Sequence, residues 1–383
     1  MRVYCLQENL AKGLGIVGRA VATRSTLPIL SNVKLETDGD DRLKLSATDL
    51  EISINCWVGA KVEQAGAITV PARLLVDFVN SLPPERIDLN LDPETQSLNL
   101  KCARFESNIK GIDAMEFPPI PSVSEDDGII KLEPELLRTM ISQVVFAAAS
   151  DESRPIYTGV LIQFQEDKLT LSATDGFRLS VKSASVGQDF GPPVDVIVPA
   201  RTMNELARVS AHQEEPIHVS IPTDHRQIIF KLEDVELASQ LIEGEFANSQ
   251  KIVQEATEYT TRSVVDTANF LKAVRVSHLF ARDTNNGVTV EVAPSGDELN
   301  NGRVTLIATS PELGDNVVDV DASIEGDPVE ISFNAKYLID LLSVLDSPQV
   351  VLETRNPDEN PGVFRMVGDE NFTHIIMPMR IPR

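Results

Sequence analysis

Hydrophobic residues early in the chain recur at Leu10, Leu14, Val17 and Val21, an interval of three to four that sets them on one face of a helix. This spacing predicts a helix over 8–24. The pattern then changes to short stretches that alternate apolar and polar side chains, such as Leu43-Lys44-Leu45-Ser46, the period of a half-buried strand. A second helix is predicted at Leu74-Leu75-Val76-Asp77-Phe78-Val79, opened by Val70-Pro71-Ala72-Arg73 and closed by Leu82-Pro83-Pro84. Proline is tolerated in a first helical turn, where its missing N–H has no partner to lose, and it stops a helix further on. Alternation resumes at Ile87-Asp88-Leu89-Asn90-Leu91. Two helices among several antiparallel strands make an α+β unit.

That unit recurs. Leu45-Ser46-Ala47-Thr48-Asp49-Leu50 returns as Leu171-Ser172-Ala173-Thr174-Asp175-Gly176 and, more weakly, as Leu306-Ile307-Ala308-Thr309-Ser310-Pro311. A second mark, Val70-Pro71-Ala72-Arg73, returns as Val198-Pro199-Ala200-Arg201 and faintly as Phe333-Asn334-Ala335-Lys336, with gaps of 23, 25 and 25 residues from the first mark. A third mark closes each unit at Glu116-Phe117-Pro118, Glu245-Phe246-Ala247 and Ile376-Met377-Pro378. Marks in the same order at matching gaps indicate three homologous domains, 1–122, 123–252 and 253–383. Two predicted helices in each give 8–24, 71–82, 134–150, 199–212, 267–282 and 335–345.

Composition narrows the class. The 383 residues carry a formal charge of -24, and only 5% are aromatic, so the cores are mainly aliphatic. An acidic surface repels nucleic acid over most of its area. Cys5, Cys56 and Cys102 are too widely spaced for a metal or redox pair and read as reduced, buried thiols, in keeping with a cytoplasmic setting. No run of apolar residues is long enough for a membrane span, and the first residues lack a secretory signal.

Chemical motifs are sparse. Gly13-Leu14-Gly15-Ile16-Val17-Gly18 matches the dinucleotide-binding pattern, but that loop must follow a strand directly, and residues 7 to 12 already read as helix. Glycines that let a helix approach a neighbour closely are the better account. The Thr-Asp copies could be paired acids of an active site, but a strand ending in a turn is the better account, because Asp bonds its own backbone there. His212, His218, His225, His278 and His374 show no metal or triad spacing. No catalytic residue, metal site or cofactor is expected.

Charge is distributed unevenly. The six predicted helices hold eleven lysines and arginines against five acids, in a chain that is otherwise strongly acidic. On the fifth, Phe270, Val274, Ser277 and Ala281 share one face, and Lys272, Arg275 and Arg282 share the opposite one. Lys12, Arg19, Arg24, Arg73, Arg201, Lys272, Arg275 and Arg282 are therefore candidate contacts to DNA phosphates. So few contacts bind weakly and are lost in salt, unless the DNA is enclosed and cannot escape sideways. An interaction scaffold of this fold without a DNA role, and a multidomain enzyme with an unfamiliar site, are the competing classes. Near the end of the fifth helix, Leu279 and Phe280 lie off the core face and need cover. That cover is either a loop of the same domain or a second subunit, whose Arg104–Ile109 edge strand would bring Ile109 against them.

At this point the chain resembles the bacterial DNA sliding clamp family, the β subunit of DNA polymerase III. The resemblance spans the whole chain and is carried by Arg24-Ser25-Thr26-Leu27-Pro28-Ile29-Leu30, Ala47-Thr48-Asp49-Leu50-Glu51, Val70-Pro71-Ala72-Arg73, Ala173-Thr174-Asp175-Gly176-Phe177-Arg178-Leu179 and Met377-Pro378-Met379-Arg380. It implies three clamp domains per subunit, each with two helices toward a central pore and sheets outside, and a head-to-tail homodimer closed as a ring. The implied partners are duplex DNA, the polymerase catalytic subunit, the clamp loader, and clamp-motif proteins such as repair polymerases, ligase and mismatch-repair proteins. It also implies a pocket for short, partly apolar peptides, formed by Tyr157, Thr174, Gly176, Phe177, Arg178, Leu179, Ala247, Lys251, Ile252, Asn334, Tyr337, Met377, Pro378, Met379, Arg380 and Ile381. The chain departs from the family pattern at Tyr157, where an aliphatic residue is common, at Ala247 for proline and at Lys251 for arginine. Pro382-Arg383 extends beyond the usual ending, and Asp151-Glu152 stands near a segment that contacts DNA in some members.

Overall fold

The computed structural model describes residues 1–123, 129–222, 226–294, 302–355 and 360–380. Each repeat begins with one strand and a helix, continues through four strands to a second helix, and ends with three more strands. The helices are α1 (Gln7–Val17), α2 (Ala72–Asn80), α3 (Pro134–Val144), α4 (Ala200–Val209), α6 (Thr267–Ala281) and α7 (Ala335–Leu342). One further short helix, α5 (Ser249–Glu255), lies at the join of the second and third repeats, where the sequence pattern had no signal for it.

Helix α1 packs through Leu10, Gly13, Leu14 and Val17, all buried. Its buried stripe ends at Val17, a 3-10 turn follows at Gly18–Ala20, and Val21 is extended. The helix expected over 8–24 is therefore shorter, and Arg24 lies beyond it. The glycines of this segment divide in role. A Cβ on Gly13 would come within 2.7 Å of the Val58 side chain and 2.8 Å of Leu45, so the helix lies close on the two strands beneath it. Gly15 meets nothing within 4 Å. These glycines sit inside a helix and not at a strand-to-helix turn, which removes the dinucleotide motif.

The chain divides into two compact units, Met1–Arg138 with Asn204–Leu241, and Thr139–Met203 with Ile242–Arg383. Each contains one 12-stranded sheet. In the first unit the long strand Ile52–Gln64 pairs along one edge with Arg42–Thr48. Its other edge is shared: Ile52–Cys56 pairs with the strand Val235–Gln240, and Ala60–Gln64 with Arg2–Leu6. In the second unit Arg178–Lys182 pairs with Phe372–Ile376 of the last strand. The second repeat thus contributes strands to both sheets, and each sheet runs through a repeat boundary.

In the third repeat Phe270, Val274, Phe333, Leu338 and Phe364 are fully buried, and the rings of Phe333 and Phe364 meet edge to face at 5.8 Å. Asp266 caps α6 by accepting the Asn269 amide at 2.8 Å, and Asn334 caps α7 by accepting that of Lys336 at 2.9 Å. Such caps satisfy N–H groups that a helix start leaves without partners. Cys5, Cys56 and Cys102 are free and buried. Burial pushes the thiols of Cys5 and Cys56 up to about 12, which keeps them protonated and unreactive.

Gly13→Val is expected to destabilise the fold by about 1–3 kcal/mol through overpacking against Val58 and Leu45. Gly15→Ala, in open space within a helix, is expected to stabilise it by about 0.5–1 kcal/mol. Denaturant unfolding of the two variants measures both, and equal effects would contradict the close approach at Gly13.

Candidate functional site

The turn Thr174–Arg178 is built by side chains that replace backbone partners. Asp175 accepts the amides of Phe177 and Arg178 at 2.9 and 3.0 Å. Thr174 Oγ1 accepts the Gly176 amide at 3.0 Å and donates to the Arg178 carbonyl at 2.6 Å. Gly176 has φ +92°, a left-handed conformation that costs a glycine little. The strand that follows begins with Arg178.

Arg178 is only 9% exposed and its charge is fully engaged. Nε donates to Asp175 at 3.1 Å, Nη1 to Asp340 at 2.7 Å and Nη2 to the Phe146 carbonyl at 2.6 Å. Its guanidinium lies 4.3 Å from the centre of the Tyr337 ring and 5.5 Å from that of Phe146. A buried cation is tolerated when it is paired and hydrogen-bonded in this way. Burial raises the Tyr337 hydroxyl above its ordinary value, and the carboxylate of Asp175 adds to the effect. Behind Phe146, 5.2 Å from ring to ring, His374 is completely buried with neither ring nitrogen hydrogen-bonded. Burial, and then the charge of Arg178, push its imidazole down to about 3, so it is neutral.

Asp175, Arg178 and Tyr337 border a cleft of about 300 Å³, lined also by Ala148, Ala149, Ser150, Asp151, Arg154 and Phe177. Phe177 exposes 56% of its surface. Three of the pocket residues expected from the sequence, Phe177, Arg178 and Tyr337, line it directly. Tyr157 stands beside Gly176, with Cε2 3.9 Å from where a Cβ would be. The C-terminal segment is tied in by its backbone: the Met377 amide donates to the Phe177 carbonyl at 2.8 Å and that of Met379 to Ser332 at 2.8 Å. Met377 is exposed, Pro378 and Met379 are half-buried, and Arg380 is exposed. Ile381 and Pro382-Arg383 lie outside the described residues.

Other expected pocket residues have different surroundings. Leu179 is buried with Val181, Val363 and Ile375, beneath Val253 of α5 and Ala256 just after it. Ile252 is partly exposed on α5, and exposed Lys251 pairs with Glu255 at 3.8 Å. Asn334 serves as the α7 cap. Ala247 lines a separate cleft with Leu161, Gln163, Asp195 and Ile197, and so does not border the Arg178 cleft. Sequence reasoning missed Phe146, Ala148 to Asp151, Arg154 and Asp340. Asp340 is 162 residues from Arg178, and no local pattern signals that pair. Asp175 sat in a repeated mark and proves to be both turn former and ion partner.

All eight candidate DNA contacts are exposed. Lys12, Arg73, Arg201, Lys272 and Arg275 stand on helices, Arg19 in the 3-10 turn after α1, and Arg282 directly after α6. Arg19 faces Glu205 at 3.5 Å, and Arg275 donates to Ser343 at 3.3 Å. By contrast Arg138, one of the eleven helix cations, donates to the Ser210 and Ala211 carbonyls at 3.2 and 2.6 Å and serves the end of α4. Of the residues expected to need a subunit's cover, Leu279 is exposed, but Phe280 packs partly on the third repeat's core. Ile109 is buried in its own unit, because its inward side of the strand faces the core. Among the described residues no group of three or more His, Cys, Asp or Glu is placed to hold a metal, and no helix is long and apolar enough to cross a membrane. His225 lies outside them.

A three-repeat chain with 24 strands among its described residues and an ion-paired cleft has clear relatives. Profiles of the DNA polymerase III beta subunit match in sequence, the N-terminal domain over 1–121, the central domain over 131–248 and the C-terminal domain over 256–380. The chain is 31% identical to the beta sliding clamp of Staphylococcus aureus, with 94% of each covered, and 32% identical to that of Synechocystis over the full length of both. Among solved structures, the Bacillus subtilis sliding clamp superposes with a TM-score of 0.92 at 27% identity, and a Pseudomonas aeruginosa clamp bound to griselimycin with 0.90 at 27%, each covering 100% of both chains. The chain belongs to the bacterial DNA polymerase III β-subunit family, the sliding clamps. It has the α+β clamp fold in three domains and is a non-catalytic processivity subunit.

His374 is neutral in the folded protein and protonates near pH 6.5 when unfolded. Its depressed folded value means the unfolded state binds the extra proton between about pH 6.5 and about 3, so stability falls as pH falls through that window. His374→Leu is expected to remove this contribution, about 1.4 kcal/mol per pH unit. Denaturation midpoints at pH 7, 6, 5 and 4 test it: the variant should lose less stability than the parent below pH 6, and parallel losses would disprove the assignment.

Proposed function

We propose that two copies of this chain join head to tail, enclose duplex DNA in the cytoplasm without reading its sequence, and tether the polymerase III catalytic subunit and clamp loader through the Arg178 cleft. The same cleft would serve repair polymerases, ligase and mismatch-repair proteins in turn. The domain limits 1–122, 123–252 and 253–383 form part of this reading, with both helices of each domain toward the DNA.

One observation carries the closure: the strand edges at repeat joins are filled twice and left open twice. The last strand of the second repeat pairs with Ile52–Cys56, and the last strand of the third with Arg178–Lys182. The corresponding last strand of the first repeat, Phe105–Lys110, pairs only with Ser97–Cys102 among the described residues. The corresponding long strand of the third, Gly314–Gly326, pairs on its second edge only from Ala322 onward. Unpaired edges of this kind recruit another strand.

The repeats also supply a register. The amides of Ile52, Arg178 and Leu313 bond the side chains of Asp49, Asp175 and Ser310, so these three residues correspond. Likewise the amides of Ile112, Ile242 and Met379 bond the carbonyls of Thr69, Ile197 and Ser332. Three residues earlier stand Ile109, Ser239 and Ile376. Since Ile52 faces Ser239 and Arg178 faces Ile376, Leu313 would face Ile109 of a second copy, and Val317 would face Phe105. Leu313, Val317 and Phe105 are 60%, 62% and 51% exposed, an apolar area that such pairing would cover. Leu279 is exposed as well, whereas Phe280 and Ile109 contribute mainly to their own cores.

Phe105→Cys with Val317→Cys is expected to cross-link the dimer at both joins under mild oxidation, because facing residues of an antiparallel pair lie within disulfide reach. Neither single variant should do so, and a double variant that stays monomeric on denaturing gels would refute the register. The enclosed DNA is tested with Lys272→Glu and Arg275→Glu together. Loaded onto nicked circular DNA, the parent should stay bound and should leave after linearisation, while the variant should be retained several-fold less at low salt. Equal retention of both on circles would count against a cationic lining.

A further inference from the structure

We infer that the first repeat carries a second docking site, on the sheet face turned away from its helices, for an acidic peptide segment with a large apolar side chain. A cleft of about 440 Å³ opens there, with Tyr4, Leu6, Asn9, Lys61, Glu63 and Arg86 in its lining. Alternation along the strands buries Val3, Cys5 and Ile87 in the core and sends Tyr4, Leu6, Lys61 and Arg86 to the opposite face. Leu6 exposes 56% of its surface. The Tyr4 ring beside it lies 4.7 Å from the Arg86 guanidinium and 5.8 Å from that of Arg2. The acids of this face are already engaged. Glu63 accepts from the Tyr4 hydroxyl at 3.0 Å and faces Arg2 at 3.4 Å, and Asp88 pairs with Arg86 at 2.9 Å. Lys61 is exposed and forms no ion pair among the described residues. In a chain of net charge -24, this leaves an unused cation next to an exposed leucine.

The third repeat is an internal control. In the first repeat Leu6 faces Arg86 and Tyr4 faces Lys61; in the third, Asp266 faces Gln349 and Val264 faces Ser323. Both strands lead directly into a helix, so Leu6 and Asp266 hold the same place before α1 and α6. Asp266 caps its helix through the Asn269 amide, whereas α1 starts without a side-chain cap. Before α3 the second repeat also has an acid, Glu133. Leucine is among the poorest residues at a helix start, because it cannot accept the amides left open there. Leu6 therefore forgoes a cap and exposes apolar surface as well, and a local conflict of this kind is expected where binding sets the residue. The fold requires neither this leucine nor the tyrosine, lysine and arginine around it. The charges identify the occupant: an apolar side chain would meet Leu6 and Tyr4, and a carboxylate would meet Lys61. A nucleic acid fits less well, because Glu63 and Asp88 stand among the cations and would repel its phosphates.

The test uses the full-length protein and short labelled peptides with a central Phe-Leu pair, flanked on both sides by Asp or by Asn, with binding read by fluorescence anisotropy. The variants import the third repeat's residues, Leu6→Asp and Lys61→Ser. The parent should bind the Asp peptides about two- to fivefold more tightly than the Asn peptides, the range of a solvent-exposed ion pair, and the preference should shrink in high salt. In Lys61→Ser the ratio should fall to about one. Leu6→Asp should weaken both series roughly tenfold through the lost apolar contact, while its denaturation midpoint rises because α1 gains a cap. The Arg178 cleft belongs to the other compact unit, so any binding there is the same in the parent and both variants. Equal affinity of the parent and both variants for the Asp peptides overturns the site, as does a parent that binds neither series. A lowered midpoint in Leu6→Asp would show that the leucine serves the fold, and would overturn the argument from the missing cap. Lys61-dependent binding of a short labelled DNA duplex, with no peptide bound, would replace the peptide by a nucleic acid and overturn the assignment.

Discussion

The constraint on which this structure depends is that backbone N–H and C=O groups along a strand must be paired or face water. In the first and third repeats a long strand has its second edge filled only in part from within the repeat, and in the second the strand Arg178–Ser185 has no partner from its own repeat on that edge among the described residues. The next repeat's last strand completes it, at Ile52–Cys56 in one unit and at Arg178–Lys182 in the other. Packing therefore follows the sheets and not the repeats. The second repeat divides its strands between two sheets, and neither sheet is complete without it. Among the described residues the same requirement is unmet at Phe105–Lys110 and along one edge of Gly314–Asp321, the two edges that the proposed head-to-tail pairing would join.

The cleft depends on that pairing as well. Arg178 opens a strand that is held by the chain's last strand, and Met377 hydrogen-bonds directly to Phe177. Burying the guanidinium is favourable only because Asp175, Asp340 and the Phe146 carbonyl arrive together from the turn, α7 and the 3-10 turn Val145–Ala147 that follows α3. Three stretches of chain are thereby fixed around one charge, which holds the cleft in shape. His374, neutral and buried beside them, avoids a second positive charge next to Arg178.

An acidic chain that holds DNA has to separate its charges. The net charge of -24 limits attachment to other nucleic acid, and in the proposed enclosure the exposed cations on and beside the helices would supply local attraction. Some of that attraction is already balanced, as with Arg19 and Glu205, and some helix cations are structural, as with Arg138. A modest residual lining suits a protein that must hold DNA and still move along it.

The chain's sequence by itself determined the repeat, the two helices and alternating strands in each unit, and the Thr-Asp turns, because periodicity, proline stops and side-chain-to-backbone bonds act over a few residues. It also carried enough matching segments to point to the family and to three residues that line the cleft, Phe177, Arg178 and Tyr337. Its local signals misjudged where α1 ends, since Val21 keeps the helical interval after the chain has become extended, and passed over α5, whose few apolar residues are Ile252 and Val253. Only the tertiary structure decided that Arg178 meets Asp340, that Ala247 lines another cleft, that Ile109 and Phe280 turn toward their own cores, and that the second repeat is shared between two sheets. Those outcomes depend on strand pairing and burial between segments far apart in the chain, where a residue's partner is set by the register of the sheet and not by its neighbours in sequence.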